Sequence, residues 1–178
     1  MLSGQRVYLR PINSDDWQMI LDIKSDIGNL LQLTTKLSPM SRDAAVLWTK
    51  KVSESFDAQK FSIIENSTNY PIGYIGFNNL DIIEGHTGFA FQIMRDSQGQ
   101  GYGTEALNLF IEYAFRYLGI RKVFTHILAS NSASTKVVEK CGFKIEGVLR
   151  KHVLRDRKPI DVVIYGLLYE ESIFAEGS

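Results

Sequence analysis

The stretch of residues 89–118 constrains the fold of this chain more than any other part of the sequence. Its first five residues, FAFQI, alternate in the way typical of a strand with one apolar face. Residues 99–103 read GQGYG, with glycine at every second position. From Thr104 onward, apolar residues recur at helical spacing until Gly119, a residue type common just after a helix. The sequence therefore predicts a strand, a glycine turn and a long helix in direct succession.

This succession predicts a seat for phosphate, because free N–H groups and the positive end of a helix dipole meet at the turn. A nucleotide P-loop is excluded, since it needs a lysine that the turn lacks. A dinucleotide site needs G-x-G-x-x-G and an acidic residue roughly twenty residues later. Here the spacing is G-x-G-x-G, and no acidic residue lies between Arg121 and Ser134. A flexible connector remains an alternative, although alternate glycines between a strand and a helix are costly in backbone entropy.

Two motifs carry a resemblance to a known family. The first is Q-x-x-G-x-G, formed by Gln98, Gly101 and Gly103 ahead of the helix. The second is NSASTKVVEKCGF followed by KIEG, over residues 131–147. The pair resembles the GNAT acyltransferases, in particular the branch of ribosomal-protein N-terminal acetyltransferases (RimJ/RimL-like). The match runs from about Val7 to Leu168, and paired motifs at the expected separation are more specific than either alone.

Length and composition limit the classes of protein. A chain of 178 residues with 44% hydrophobic content suits one domain, spanning residues 1–178. The formal net charge is zero and no run of like charges occurs, which argues against a nucleic-acid surface. The single cysteine and the lack of a long apolar segment predict a soluble, cytoplasmic protein without a membrane partner. The oligomeric state is left open, with a homodimer as one arrangement.

The rest of the sequence predicts an α/β fold. The strand at residue 89 and a strand at 122–129 are joined through the long helix, which makes them parallel. The resemblance implies a GNAT fold, with a mixed, mostly antiparallel central sheet, flanking helices and a splayed parallel strand pair. The other predicted elements, in chain order, are a strand at 7–10, a helix from Ser14 or Asp15 that Gly28 and Asn29 end or loosen, a helix from Ser41 to about Ser55, strands at 61–65 and 72–80, a short helix capped by Ser132, and a hairpin of 148–153 with 160–168.

The resemblance also implies acetyl-CoA as co-substrate and particular residues that contact it. Asn131 would hydrogen-bond the pantetheine arm, and Ser134 would contact the cofactor and protonate the departing thiolate as the catalytic acid. The backbones of Phe91, Ile93 and Met94 would pair with pantetheine like an added strand. The pyrophosphate would be held by Gln98, Gly99, Gln100, Gly101, Tyr102, Gly103 and Thr104. No Cys/His spacing suggests a metal site.

Two positions depart from the family pattern. Many members have a tyrosine acid where this chain has Val138, and a glutamate is common where this chain has Gly88. A site without a carboxylate base suits an α-amine, which is about 14% neutral at pH 7, against about 0.04% for a lysine-like amine. Other proton acceptors open to the sequence are Tyr74, Asp81, Glu84, His86 and Gln92. The alternation around His126 favours a packed imidazole over a catalytic one.

We therefore expect an N-acetyltransferase that acts on a primary amine by direct attack, with the N-terminal α-amine of a peptide or protein as the favoured acceptor. Two alternatives stay open at this point. One is an acyl-CoA-binding sensor or interaction module without turnover, and the other is an acetyltransferase for small molecules such as polyamines or antibiotics.

Overall fold

A mixed sheet forms the centre of the computed structural model, which describes residues 1–34, 38–55 and 59–175. Within these residues the sheet has eight strands in the order β1-β2-β3-β4-β5-β6-β8-β7. The strands are β1 (Leu2–Ser3), β2 (Val7–Pro11), β3 (Lys60–Glu65), β4 (Tyr70–Asp81), β5 (His86–Ile93), β6 (Lys122–Leu128), β7 (Lys144–Arg155) and β8 (Lys158–Leu168).

The helices cover both faces of this sheet. They are α1 (Trp17–Ser25), α2 (Ile27–Leu31), α3 (Arg42–Ser53), α4 (Tyr102–Glu112), which continues as a π-helical turn (Tyr113–Tyr117), and α5 (Ser132–Lys140). Ser41 caps α3 as predicted, because its side chain accepts a hydrogen bond from the Ala44 amide at 3.2 Å.

The sequence predicts that Gly28 and Asn29 end or loosen the first helix, but the helix stops before them. The helix ends at Ser25, and these two residues belong to the short helix α2. Asp26 caps α2, since its Oδ1 accepts from the Gly28 amide at 2.8 Å and the Asn29 amide at 3.3 Å. The N-terminal cap also differs from the prediction, because Asn13 rather than Ser14 or Asp15 caps the 3-10 turn that leads into α1. At α2, the cap that the Asp26 side chain provides outweighs the helix-breaking tendency of Gly28.

The pairing of β5 with β6 confirms the predicted splayed strand pair. These two strands run parallel, and the other neighbouring strands described are antiparallel. Their pairing covers only His86 with Lys122 through Gly88 with Phe124. Beyond that level both strands continue, to Ile93 and to Leu128, but they no longer pair with each other. The sheet therefore opens in its middle, as the α/β GNAT fold requires.

Two apolar clusters hold the helices on the sheet. The larger cluster joins α4 to the sheet through packed aromatic rings, with Phe77 and Phe89 lying 4.3 Å and 5.8 Å from Phe110 between ring centroids. The smaller cluster lies between α1, α3 and the opposite sheet face, and includes Met19 and Tyr74. The two faces of the opened sheet are thus backed by different helices.

A buried carboxylate fixes α1 against the strands. Asp16, whose side chain is 2% exposed, accepts hydrogen bonds from Arg10 at 2.6 Å and 2.8 Å and from Ser62 at 2.6 Å. Burial by itself would raise the pKa of Asp16. The hydrogen bonds from Arg10, Ser62 and the Asn13 amide outweigh burial and leave the pKa lowered. The Asp16 carboxylate is therefore ionised in the folded protein at neutral pH.

Replacing this carboxylate should destabilise the fold. We expect Asp16→Asn to lower the free energy of unfolding by about 2–4 kcal/mol, because it leaves the partly buried Arg10 guanidinium without a counter-charge. Since the folded pKa is depressed, the stabilisation should be present above the unfolded pKa of Asp and be lost as pH falls through the folded value. Urea unfolding at pH 7 and pH 3 measures both effects. The exposed neighbour variant Asp15→Asn is the control and should change stability by less than about 0.5 kcal/mol; equal effects of the two variants would contradict this stabilising role of Asp16.

Candidate active site

The glycine turn places free amides at the start of α4. Gly101 is the N-cap with φ of +87°, in the left-handed region that glycine tolerates, and no side chain caps the helix. The first intrahelical bond runs from the Glu105 amide to the Gly101 carbonyl at 3.3 Å. The amides of residues 101–104 precede that bond and have no intrahelical acceptor. They form a set of donors suited to a pyrophosphate.

Residues from the far N-terminal part of the chain hold this turn. The guanidinium of Arg6 donates to the Gln100 carbonyl at 2.8 Å, forms an ion pair with Glu105 at 3.2 Å, and lies 5.3 Å from the centroid of the Tyr102 ring. The Tyr102 hydroxyl donates to a carboxylate oxygen of Glu65 on β3. Arg6 and Glu65 were not predicted from the sequence, because nothing in their local sequence indicates contact with a turn so distant along the chain.

Side chains on the other flank of the turn bind α2. The Gln98 Nε2 group donates to the Ile93 carbonyl at 2.9 Å and to Asn29 Oδ1 at 3.0 Å. Arg95 forms a bidentate ion pair with Asp26, with distances of 2.6 Å and 2.7 Å. The backbone N–H of Gln98 is also hydrogen-bonded, since it donates to the Arg95 carbonyl at 3.1 Å. Gln98 therefore shapes the turn, and the donors available to a ligand come from the glycine-containing residues that follow it.

The open edge of β5 presents backbone groups toward β6. The Met94 amide donates to the Ile72 carbonyl of β4 at 2.8 Å, so by the alternation of an antiparallel ladder the N–H and C=O of Phe91 point away from β4. Phe89 and Ile93 share that direction, and their carbonyls accept from Thr125 Oγ1 at 3.0 Å and from the Gln98 side chain. The strand-like pairing expected for pantetheine therefore falls to Phe91 and the Ile93 amide, since both backbone groups of Met94 are already hydrogen-bonded within the chain.

The start of α5 lies at the other wall of the opening. Asn131, and not Ser132 as the sequence predicted, caps this helix, because its Oδ1 accepts from the Ser134 amide at 3.0 Å. Its Nδ2 donates to the Gln32 carbonyl after α2 at 3.2 Å. Ser134 is half-buried in the first turn of α5. Its hydroxyl makes no hydrogen bond to another residue that the structure describes, so it is free to donate.

The face of the sheet turned toward α1 and α3 lacks a carboxylate at the expected strand position. A Cβ on Gly88 would lie 3.0 Å from the Asn78 carbonyl oxygen and 3.4 Å from the Phe124 ring, so this packing leaves little room for a longer side chain. On the same face, Tyr74 donates to Gln92 Oε1 at 2.5 Å, and burial raises the pKa of Tyr74. Both groups are therefore engaged with each other.

The remaining proton acceptors named from the sequence lie away from the Phe91 backbone. Asp81 is the last residue of β4 and Glu84 lies in the turn before β5, where Asp81 Oδ1 accepts from the Glu84 amide at 2.9 Å. His86 is the first residue of β5, about 17 Å along the strand from Phe91. The prediction of a packed His126 is wrong, because this side chain is exposed on β6.

Covalent and metal chemistry find no support among the described residues. Cys141 is half-buried, and burial raises its pKa to about 12, which keeps the thiol protonated. In residues 1–34, 38–55 and 59–175, no group of three or more His, Cys, Asp or Glu side chains is arranged to hold a metal ion. No helix in the same residues has the length and apolar character needed to cross a bilayer.

A groove beside the turn has mixed charge. Its volume is about 540 Å³, and both cations and carboxylates line it, including Arg6, Lys140, Glu105 and Glu112. A larger cavity of about 660 Å³ lies at the β7–β8 hairpin and touches none of the turn residues. Because the charges in the groove offset each other, the backbone amides of the turn, rather than a basic surface, are the groups suited to an anion.

A strand edge open to pantetheine, a glycine turn with free amides and a helix N-terminus together define the site of a CoA-dependent acyltransferase. The comparison with protein families agrees, since residues 6–144 match the family model described as the acetyltransferase (GNAT) domain. The chain belongs to the GNAT family and is an acetyl-CoA-dependent N-acetyltransferase. The non-catalytic alternative is set aside on this ground. The family model describes the GNAT domain as a whole.

Relatives and solved structures share this architecture. The chain is 26% identical over 172 residues to "Uncharacterized N-acetyltransferase p20" of Bacillus licheniformis, covering 96% of this chain and 97% of p20. It is 25% identical over 122 residues to spermidine N(1)-acetyltransferase of Vibrio cholerae, covering 61% of this chain and 70% of that enzyme. The crystal structure of spermidine N-acetyltransferase from Vibrio cholerae with CoA and spermine superposes with a TM-score of 0.85 at 20% identity, covering 94% and 98% of the two chains. At that identity the superposition shows the shared fold.

The turn gives a sharp test through two glycines at opposite ends of the helical stretch. Gly101 and Gly119 both have positive φ, +87° and +66°, so valine strains the backbone at either position. We expect Gly101→Val to raise the Kd for CoA at least about 30-fold, because it displaces the donors at the turn. A Cβ added at Gly119 would meet no atom within 4 Å, so Gly119→Val should leave that Kd within about twofold of wild type. Isothermal titration calorimetry measures both, and unaltered CoA affinity in the Gly101 variant would contradict this placement of the pyrophosphate.

Proposed function

We propose that this N-acetyltransferase acetylates the N-terminal α-amine of a peptide or protein, as its resemblance to the ribosomal-protein N-terminal acetyltransferases suggests. One observation carries the proposal. Among the described residues near Phe91, Gly88 holds the strand position where a carboxylate base was expected. Acyl transfer requires the amine to be neutral before it attacks the thioester. The acceptor class is therefore tied to how readily its amine loses a proton.

The open strand supplies the electrophilic part of the reaction. The Phe91 amide, which points into the opening, would donate to the thioester carbonyl oxygen and stabilise the negative charge that develops there. Ser134 would donate its free hydroxyl proton to the departing sulfur. A thiolate with an ordinary pKa near 8.5 can leave without full proton donation, so this serine assists rather than controls the step.

An α-amine suits this site better than a lysine-like amine does. With ordinary pKa values of about 7.8 and 10.4, the neutral fractions at pH 7 are about 14% and 0.04%. The α-amine thus gains several hundredfold, about 350-fold, in reactive fraction before any residue assists. A family member without the usual glutamate can use that advantage.

The sheet face turned toward α1 and α3 is the side from which the acceptor would enter, and it is called the acceptor side below. The charges on this side oppose a polycation. Lys24 lies 5.4 Å from the centroid of the Tyr74 ring, which in turn contacts Gln92. Burial lowers the pKa of Lys24 to about 8, and the positive charge of Lys60 adds to the shift. Burial also lowers the pKa of Lys60. The sequence from residue 27 to residue 42 contains no Asp or Glu, so that segment offers no carboxylate to a polyamine.

A polyamine acceptor is the second candidate. Spermidine N(1)-acetyltransferases occur among the relatives, which supports small-molecule acetylation in this family. Against it stand the two half-buried lysines on the acceptor side and the segment without acids between α2 and α3. The two candidates differ in acceptor charge and in amine pKa, and both differences can be measured.

Substrate profiling separates these candidates. We expect free thiol to be released from acetyl-CoA fastest with peptides that offer an α-amine, and at least about tenfold more slowly with spermidine or Nα-blocked lysine peptides at pH 7. For the peptide acceptor, kcat/KM should rise with pH and level off near pH 8, where an α-amine is mostly neutral. Polyamines or lysine ε-amines that outperform every N-terminal peptide would overturn the proposal.

The role of Ser134 has its own test. We expect Ser134→Ala to lower kcat about threefold to tenfold and to leave the Kd for CoA unchanged, because one hydrogen bond to the leaving sulfur is lost. Ser132 is exposed in the same first turn of α5, so Ser132→Ala is the matched control and should keep wild-type kcat. Single-turnover kinetics separate the chemical step from product release. Equal kcat values for wild type and Ser134→Ala would remove this serine from the reaction.

A further inference from the structure

The three histidines of the chain occupy different environments. His86 begins β5, on the closed side of the parallel pair, and its Nδ1 is buried without a hydrogen-bond partner among the described residues. His152 is exposed on the long hairpin strand β7, beyond the part of β8 that pairs with β6. His126 is exposed on β6, and β6 is one of the two strands that form the opening. His126 is thus the histidine that borders the site described above.

The strand register places His126 just past the point where the sheet opens. The last paired residues are Gly88 and Phe124, and the Phe124 ring covers the face on which a Gly88 side chain would project. His126 follows Phe124 by two residues, so it projects from the same face of the sheet. The rings of Phe124 and His126 lie edge to face, with centroids 6.0 Å apart. His126 therefore faces the acceptor side and not α4.

Both walls of the opening are accessible at this level. Parallel strands rise equally per residue, so His126 on β6 is level with Ala90 on β5, two residues beyond the last pair. Ala90 and His126 are both exposed, whereas Thr125 between the strands is buried and bonded to the Phe89 carbonyl. Ala90 directly precedes Phe91, whose amide points into the opening. An imidazole thus borders the place where the acceptor amine must meet the thioester.

The charged groups near His126 are already paired. On its own strand, Lys122 forms an ion pair with Glu146 of β7 at 2.7 Å, and that carboxylate lies over Gly166 of β8. The residue opposite His126 on β8 is the apolar Ile164, and Gln92 on β5 is bonded to Tyr74. No carboxylate among the described residues hydrogen-bonds the imidazole, so its two nitrogens are open to solvent or substrate.

From this geometry we propose that His126 is the general base of the reaction, taking the place of the glutamate that Gly88 does not supply. The assignment rests on the proposed α-amine function. The imidazole first takes a proton from the α-ammonium group, and the neutral amine then bonds to the carbonyl carbon. The carbon–sulfur bond then breaks, and the nitrogen loses its second proton to solvent. The thiolate takes a proton from water or from Ser134, which solvent then reprotonates, and the imidazole returns its proton to solvent. The products are the amide and free CoA.

The chemistry of imidazole fits an α-amine acceptor. A neutral imidazole nitrogen can accept a proton, which is why histidine serves as a general base in enzymes. The ordinary pKa of an α-amine lies more than about two units below that of a lysine side chain, so an α-amine gives up its proton to such a base more readily. Proton transfer from the α-amine is therefore far less uphill. The base and the acceptor class proposed for this enzyme support each other.

Kinetics of His126→Gln test this role, because glutamine keeps a polar side chain that cannot take up a proton. We expect kcat/KM for an α-amine peptide to fall about 100-fold at pH 7, and the deficit to shrink toward pH 9, where the acceptor is already neutral. The Kd for CoA, measured by calorimetry, should stay within about twofold of wild type. Added imidazole should restore part of the activity of His126→Ala. Because the side chain is exposed, both variants should keep the wild-type melting temperature.

His152→Gln is the matched control, since it removes an exposed histidine from β7, which is not one of the two strands that form the opening, and should retain wild-type kinetics at every pH. If His126→Gln and wild type had the same pH profile and imidazole had no effect, the base assignment would be overturned while peptide acetylation still stood. A wild-type enzyme that released no thiol with any α-amine would overturn the proposed function and this assignment together.

Discussion

The separation of β5 from β6 is the constraint on which the rest of the structure depends. Ending a ladder inside a sheet leaves backbone groups unpaired, at a cost of about 1–3 kcal/mol for each buried group. The chain offsets this cost in part, because Thr125 donates to the Phe89 carbonyl and the Gln98 side chain donates to the Ile93 carbonyl. Phe91 lies between Phe89 and Ile93 on β5, and its N–H and C=O groups are available to an external partner. The opening is thus a preformed binding edge.

The glycine turn is positioned by contacts from distant parts of the chain. Arg6 binds it from the start of β2, Glu65 binds the Tyr102 hydroxyl from β3, and Asn29 binds Gln98 from α2. Such contacts fix the turn in the shape that presents its amides, so little ordering remains to be done when a ligand binds. The same α2 segment continues to Gln32, whose carbonyl accepts from Asn131 on the opposite wall. Segment 26–33 therefore ties the two walls together.

Local sequence predicted most of the fold, including the elements around which the candidate site is built. The strand, turn and helix at residue 89, the parallel pair and the cap at Ser41 follow from periodicity and capping residues. The helix α2 was missed because Gly28 indicates a helix end unless the cap at Asp26 is known. The contacts of Arg6, and the exposure of His126 beside the opening, depend on which strands meet. Alternation along β6 could not reveal that, because it shows the side on which a residue lies and not what covers that side.

The central claim is that amides at the start of α4, together with the open edge of β5, bind acetyl-CoA. Backbone amide resonances followed during a titration with CoA test this most directly, because they report on the donor groups themselves. We expect the largest shifts on saturation at residues 99–104 and at Phe91, while the Met94 amide, bonded to Ile72, changes little. Saturation with those resonances unmoved and the main shifts at the β7–β8 hairpin would contradict the claim.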